Sequence, residues 1–213
     1  MSKHVFPPLK VFLLGRFHLE RKVGQAWQED ANPAWQHRTT RILLAYLMSS
    51  PGRRRSRDQV MDTLWPNLAV ENAANRLNST VHQLRQLLEP TLSRPAKSHL
   101  LRVEPDILLL ADAATIWVDI DVFGLLTTKV HTSDDGLYVE QLLEEAKTLY
   151  GGDFLHGERS SEWVLAQREV YQRIWIGLLL ELADHRIASN DLSSALAALN
   201  PILHADPTNE AAV

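Results

Sequence analysis

Residues 72–88 have the sequence Asn-Ala-Ala-Asn-Arg-Leu-Asn-Ser-Thr-Val-His-Gln-Leu-Arg-Gln-Leu-Leu, and the rest of the chain is interpreted around them. At about 100° per residue, the apolar side chains fall within one narrow arc and the polar ones gather opposite. The apolar arc holds Leu77, Val81, Leu84 and Leu88. The polar arc holds Asn72, Arg76, Ser79, Gln83 and Gln86. This pattern predicts a helix over 72–88 with one buried face.

The polar arc carries a cation, amides and a hydroxyl, with no carboxylate after the start of the helix. These groups hydrogen-bond to phosphates and to base edges, so the arc indicates contact with DNA. A helix face that only meets solvent gives the same pattern, and for His82 an exposed position without a role is the open alternative. The expected contact residues on this helix are Asn72, Asn75, Arg76, Ser79, Thr80, His82, Gln83 and Arg85.

The charge of the chain is divided unevenly. The whole chain has 213 residues and a net charge of -4. Residues 1–115 carry 16 Lys and Arg against 10 Asp and Glu, net +6, and residues 116–213 carry 6 against 16, net -10. A basic half followed by an acidic half suggests a nucleic-acid-binding domain followed by a domain with a different partner.

Several classes of site are not expected from the sequence. There is no cysteine, hence no disulfide, thiol nucleophile or thiolate metal site. Nine histidines are present, but the zinc-protease spacing, the nucleophile-elbow motif and the glycine-rich phosphate loops are not. We therefore expect no enzyme activity, metal or cofactor. Without a signal peptide or an apolar run of about 20 residues, we expect a cytoplasmic protein.

The first half alternates between strand and helix signals. Short β-prone runs at Leu9–Leu14, Phe17–Lys22 and Gln25–Gln28 predict an antiparallel sheet. Helical spacing then predicts a first helix over Gln36–Ser49.

A second helix and a hairpin frame the 72–88 stretch. Ser56 followed by Gln59 forms a capping-box pattern, which starts a helix ending near Trp65. Asn72 is a suitable N-cap for the third helix. Two short strands, His99–Val103 and Ile107–Ala111, then predict a hairpin. A sheet, three helices and a terminal hairpin in this order indicate an α+β winged helix-turn-helix domain over residues 1–115.

Five further arginines lie outside the face of the third helix. Because they flank the helix-turn-helix or lie in the hairpin, we expect phosphate contacts from Arg53, Arg54, Arg55, Arg57 and Arg102. The run 53–57 is equally typical of a solvated loop, which stays the alternative. The tryptophans Trp65, Trp117, Trp163 and Trp175 fall on apolar stripes or at element ends, so packing in the core is favoured over stacking on bases.

The second half, 116–213, is predicted to be all-α. Its helices are expected at Asp121–Thr128, with Asp121 as N-cap, at Leu137–Tyr150 and at Ser161–Ala188. The spacing of Leu179, Leu182, Ala183, Ala195, Leu199 and Pro207 matches one tetratricopeptide repeat at about 176–209. Pro201 is expected to shorten or bend its second helix.

The first half resembles the OmpR-type winged helix of the bacterial SARP and AfsR-like activators. The matching phrases are Leu14–Phe17, Arg41–Ala45, Ser56–Val60 with Asp62–Trp65, and Asn75–Leu88. Two positions depart from the group. Glu104-Pro105-Asp106-Ile107 replaces a Gly-Pro-Gly-Tyr wing tip, and Arg54-Arg55 replaces an apolar pair.

The second half resembles the bacterial transcriptional activation domain that follows the winged helix in this group. The matching phrases are Val118–Phe123, Leu149–Leu155, Glu162–Trp163 and Asp206–Ala211. The sequence stops at Val213, within what looks like another repeat, so we expect a fragment of a longer protein.

The resemblance implies a sequence-specific transcriptional activator whose third helix enters the major groove. It also implies directly repeated half-sites in double-stranded DNA, recruitment of RNA polymerase and a possible homodimer. The alternative is a protein-interaction scaffold, in which the winged helix and the acidic repeats bind proteins. The acidic residues Glu104 and Asp106 at the wing tip favour that alternative.

Overall fold

The computed structural model describes residues 9–159 and 161–205, apart from the side chains of residues 204 and 205. The strands are β1 (Leu9–Phe12), β2 (His18–Val23), β3 (Ala26–Glu29), β4 (Arg54–Ser56), β5 (Leu101–Glu104), β6 (Ile107–Leu110) and β7 (Ile116–Val118). The helices are α1 (Arg38–Met48), α2 (Arg57–Leu64), α3 (Val70–Leu88), α4 (Asp119–Thr132), α5 (Gly136–Leu149), α6 (Glu162–Ala188) and α7 (Leu192–Ala205). The predicted fold class, an α+β winged helix followed by an all-α domain, is confirmed.

The chain forms two compact units that do not divide at residue 115. Among the described residues, the first consists of 9–11 together with His18–Val118. The second consists of Phe12–Phe17 together with the described residues from Asp119 onward. Phe12–Phe17 precedes most of the winged helix in the chain but clusters with the second unit.

The N-terminal sheet of the first unit has the strand order β3-β2-β1-β7. Strands β2 and β3 are antiparallel, as predicted, but β7 pairs with β1 in parallel, with Trp117 opposite Lys10. The expectation of a purely antiparallel sheet is therefore wrong. Strand β7 has only three residues, and the sequence offered no turn signal to separate it from the helix that follows.

The helix-turn-helix of the first unit begins at the predicted capping box. The Gln59 backbone N–H donates to Ser56 Oγ at 3.1 Å, and the reciprocal contact from the Ser56 N–H to Gln59 Oε1 is also 3.1 Å. The predicted hairpin is present as β5 and β6, with Leu101 opposite Leu110. Strand β4 extends it to a three-stranded sheet of order β4-β6-β5.

The helical part of the second unit starts at a buried carboxylate. Asp119 is fully buried, and its Oδ2 accepts the backbone N–H groups of Leu13 at 2.7 Å and Leu14 at 2.8 Å. Helix α4 begins at this residue and ends at Thr132. It therefore begins two residues before, and ends four residues after, the helix predicted over Asp121–Thr128. The carboxylate thus joins the start of α4 to the segment Phe12–Phe17.

A close backbone approach completes that junction within the second unit. Gly15 has φ +98°, and a Cβ on it would lie 2.8 Å from the Gly151 carbonyl oxygen. Its N–H donates to the Asp153 carbonyl at 3.0 Å, and the Leu155 N–H donates to the Leu13 carbonyl at 2.8 Å. Only glycine fits this position without displacing the neighbouring backbone.

Helices α6 and α7 pack against each other where the sequence predicts a repeat. Of the predicted repeat positions, Leu179, Leu182, Ala183 and Ala195 are buried, and Leu199 packs against the cluster of Leu179 and Ile202. Helix α7 continues past Pro201 to Ala205, so the proline does not end it. Pro207 and the phrase Asp206–Ala211 lie outside the described residues.

The tryptophans of the second unit pack against other aromatic rings. Trp175 stacks on Tyr150 with a centroid distance of 4.7 Å, and Trp163 meets Phe154 edge-on at 5.9 Å. These contacts agree with the prediction of core packing.

In the described part of the chain, no helix is both long and apolar enough to cross a bilayer.

Candidate nucleic-acid interface

Helix α3 presents the polar arc that the sequence predicts. Leu77, Val81, Leu84 and Leu88 are at most 5% exposed. Burial of each such side chain stabilises the helix by roughly 1.5–3 kcal/mol relative to exposure. The opposite face exposes Asn72, Asn75, Arg76, Ser79, His82, Gln83 and Gln86. The division of the helix into two faces is confirmed, and contact of the exposed face with DNA stays a prediction.

The start of α3 differs from the prediction. The helix begins at Val70 with Ala69 as N-cap, without a side-chain cap. Asn72 lies in the first turn and is exposed, so it is not the cap. Its amide is thereby left on the outer face with Asn75.

Thr80 has to be removed from the predicted contact residues. Its side chain is 5% exposed, and its hydroxyl donates to the Arg76 carbonyl at 2.8 Å. A threonine hydroxyl inside a helix commonly bonds to the carbonyl four residues earlier. Thr80 therefore supports the exposed face from below and does not offer a hydroxyl to DNA.

One edge of the exposed face borders a shallow cleft of about 360 Å³. The cleft is lined by Thr39, Trp65, Asn75, Arg76, Ser79, Thr80 and Gln83. Gln83 Oε1 accepts a long hydrogen bond, 3.4 Å, from the Thr40 hydroxyl. Arg76, Gln83 and Asn75, which carry the amide and guanidinium donors of this edge, thus all line the cleft.

The arginine run 53–57 does not act as one patch. Arg53 is 7% exposed, and its guanidinium donates to the Ala111 carbonyl at 2.8 Å and twice to the Ile116 carbonyl at 3.1 Å. These bonds hold the end of β6 and the start of β7. The prediction that Arg53 contacts phosphate is wrong, because its donors are used inside the first unit.

The next two arginines lie on β4 and differ in exposure. Arg54 lies opposite Leu109 of β6 and is exposed. Arg55 is partly buried, with its guanidinium 5.3 Å from the ring centre of Tyr46. Both line a cleft of about 710 Å³ with Gln59. Phosphate contact is more accessible to Arg54 than to Arg55.

The remaining predicted cations have partners in the first unit. Arg57 Nη2 donates to Asn78 Oδ1 at 2.8 Å. Arg85 Nε donates to the Leu101 carbonyl at 2.9 Å, and burial lowers the pKa of this guanidinium, partly offset by Glu89. It stays charged at neutral pH. Arg102 forms an exposed ion pair with Glu104 at 2.9 Å, which reduces the negative charge at the wing tip.

Three residues that the sequence did not single out position or extend this surface. Asn78 is exposed on α3 beside the first turn of α2. Glu89, 3% exposed, accepts backbone N–H groups of His99 and Leu100 between α3 and the wing. No local pattern marks these contacts, because each joins residues at least 10 apart.

Arg21 is the third such residue, and it fixes the end of α3. Its guanidinium donates to the Leu88 carbonyl at 3.0 Å and to the Leu87 carbonyl, and it pairs with Asp30 at 2.9 Å. Burial alone would raise the pKa of Asp30, but hydrogen bonds from Trp35 and Arg21 bring it below its ordinary value. A cation at the C-terminal carbonyls also suits the helix dipole.

Metal-binding geometry is not found in the described residues. They contain no group of three or more His, Asp or Glu side chains placed to hold an ion. The candidate site is therefore a surface of hydrogen-bond donors and acceptors around α3.

Comparisons with known families agree with this geometry. Residues 34–103 match the family described as the C-terminal domain of transcriptional regulatory proteins, and residues 118–213 match the bacterial transcriptional activator domain. The first match contains α1, α2, α3 and all but the last residue of β5, and the second begins at the last residue of β7. Both families are regulators of transcription and not enzymes. No curated protein matches the chain.

A solved structure resembles nearly the whole chain. Mycobacterium tuberculosis EmbR, determined in complex with a low-affinity phosphopeptide, superposes with a TM-score of 0.76 at 21% sequence identity. The match covers 97% of this chain and 52% of EmbR, so this chain spans about half of that protein's length. At this identity the likeness concerns the fold.

Proposed function

We propose that this chain, which joins an OmpR-type winged helix to a bacterial transcriptional activator domain as the SARP and AfsR-like activators do, binds specific DNA sequences through α3. That it is a transcriptional regulator follows from the two domains. Sequence-specific reading of the major groove is the finer proposal. The observation that carries it is the exposed face of α3, which bears amides, a cation, a hydroxyl and an imidazole, and no carboxylate after Glu71.

The contacts divide by the chemistry of the groups. Arg76, Gln83 and Asn75 have the donors and acceptors that recognise base edges. Arg54 is exposed on β4, and Arg57 is partly exposed at the start of α2, where cations suit phosphates. Phosphate contacts place the helix in the groove, and base contacts select the sequence.

The acidic second half of the chain has a different role in this proposal. Residues 116–213 carry a net charge of -10, which repels a duplex. The family resemblance supports pairing of two copies on directly repeated half-sites and contact with RNA polymerase. Such a regulator works in the bacterial cytoplasm, where its DNA lies.

The second candidate function is a protein-interaction scaffold. Glu104, Pro105 and Asp106 are exposed at the turn of the wing, where two carboxylates disfavour phosphate. In that case α3 and the repeat-like helices would bind proteins.

Selection from random DNA by the full chain separates the two functions. We expect enrichment of a defined motif, with an affinity that falls steeply as salt rises. For about 4 to 6 phosphates, the slope of log K against log salt is roughly -4 to -5. Enrichment of no motif, or binding that is insensitive to salt, would support the scaffold.

A further inference from the structure

The exposed face of α3 has a second edge, which borders helix α2. Asn78 lies four residues before His82, so these two exposed side chains are neighbours along the helix. Arg76 and Gln83 line the cleft at the other edge, together with Asn75. Asn78 does not line that cleft and therefore meets a different part of any bound surface.

The amide of Asn78 is held by a charged donor. Arg57, the first residue of α2, donates through Nη2 to Asn78 Oδ1 at 2.8 Å. This is a charge-assisted hydrogen bond in an otherwise exposed position, and such bonds are stronger than those between neutral groups. It orients the amide so that its NH2 group is directed away from Arg57.

The orientation changes what an asparagine can recognise. A free asparagine amide offers an NH2 donor group beside a carbonyl acceptor, the combination that pairs with adenine in the major groove. Here the carbonyl oxygen already accepts from a cation, which leaves the amide mainly a donor. Guanine presents two acceptors, N7 and O6, and no donor at its major-groove edge.

We propose that Asn78, oriented by Arg57, is a specificity-determining residue of α3 that donates to an acceptor-rich base edge, with guanine favoured over adenine. Arg57 is then a positioning residue whose remaining N–H groups face a phosphate. The inference rests on the proposed function, since it names one base-reading group of the same surface. A purely structural bond between α2 and α3 is the competing explanation.

The test uses the full chain with the Asn78→Ala, Asn78→Asp and Arg57→Ala variants and the double alanine variant. Asn78→Asp keeps a partner for Arg57 but has no NH2 group. We expect both Asn78 variants to lose roughly tenfold or more in affinity for the selected operator. Asn78→Ala should lower the affinity for random DNA far less than the affinity for the operator, because a base contact contributes little to non-specific binding. Asn67→Ala, an exposed amide in the connector between α2 and α3, is the matched control and should change neither.

The double variant and a second selection complete the test. Arg57→Ala should lower the affinity for both the operator and random DNA. Adding Asn78→Ala to it should reduce the operator affinity by a smaller factor than Asn78→Ala does alone, because the amide has already lost its orientation. Repeating the selection with Asn78→Ala should relax the preference at one guanine per half-site. An unchanged ratio of operator to random affinity, with only a lower unfolding temperature, would overturn the inference and leave the proposed function standing. Failure of the parent chain to select any motif would instead remove the proposed function, and this inference with it.

Discussion

Helix α3 and the arginine run 53–57 were both predicted to contact DNA, but they differ in how their polar side chains are exposed. On α3 the leucine stripe is buried and the polar arc is exposed, as the helical period requires. In the run, Arg53 is buried on backbone carbonyls, Arg54 is exposed, and Arg55 lies against Tyr46. Charge alone does not determine exposure, whereas a periodic apolar pattern does.

The largest expected effect is the loss of stability when Arg53 is replaced. Arg53→Ala should lower the free energy of unfolding by about 2–4 kcal/mol, since the Ala111 and Ile116 carbonyls lose three hydrogen bonds from a charged donor, two of them in the interior. Urea denaturation of the full chain measures this.

Arg54→Ala is the matched control for stability, with an expected change below about 0.5 kcal/mol at an exposed site. Equal destabilisation by the two variants would show that the run behaves as one unit and would break the comparison.

The next effect tests whether two copies of α3 act together. Residues 116–213 are expected to pair two chains, so the second site is bound at a raised effective concentration. The full chain should bind a two-site operator about 100-fold more tightly than a single half-site. Equal affinity for the two DNAs, measured by fluorescence anisotropy, would exclude pairing through this half of the chain.

The whole chain, residues 1–213, is needed for that comparison. A chain cut at residue 115 would lose β7, which pairs with β1 and accepts hydrogen bonds from Arg53. A cut after Val118 would expose Leu13 and Leu14, which are buried in the second unit.

The smallest expected effect is that of a single phosphate contact. Arg54→Ala should weaken operator and random DNA equally, by about 0.5–1 kcal/mol, and should flatten the salt slope by about 0.9. Titrations at several salt concentrations give both quantities. A loss confined to the operator would show that Arg54 reads bases, and no loss would leave it a solvated residue.

Local patterns account for the parts of the fold that the sequence predicted. The capping box at Ser56 and Gln59, the apolar stripe of α3 and the wing hairpin depend on residues a few positions apart. These features could therefore be predicted from the sequence alone. The repeat spacing of α6 and α7 was visible for the same reason.

The contacts that the sequence did not predict join distant residues. Arg53 bonds to a residue 63 positions away, Asp119 to one 106 positions away, and Arg57 to one 21 positions away. A contact between residues so far apart produces no periodic pattern in the sequence, so it could not be predicted from one. The phrases around Gly15 and Gly151 each suggested a family, but their mutual packing needed the folded backbone.

Whether the exposed face of α3 reads base sequence is tested most directly by Arg76→Ala and Gln83→Ala. Each variant is titrated against the selected operator and against random DNA, with circular dichroism to show that the fold is retained. We expect each to lose about 1–3 kcal/mol on the operator. The loss on random DNA should be smaller, because only the Arg76 charge acts there. Unchanged operator affinity in both folded variants would contradict the assignment of α3 as the recognition helix.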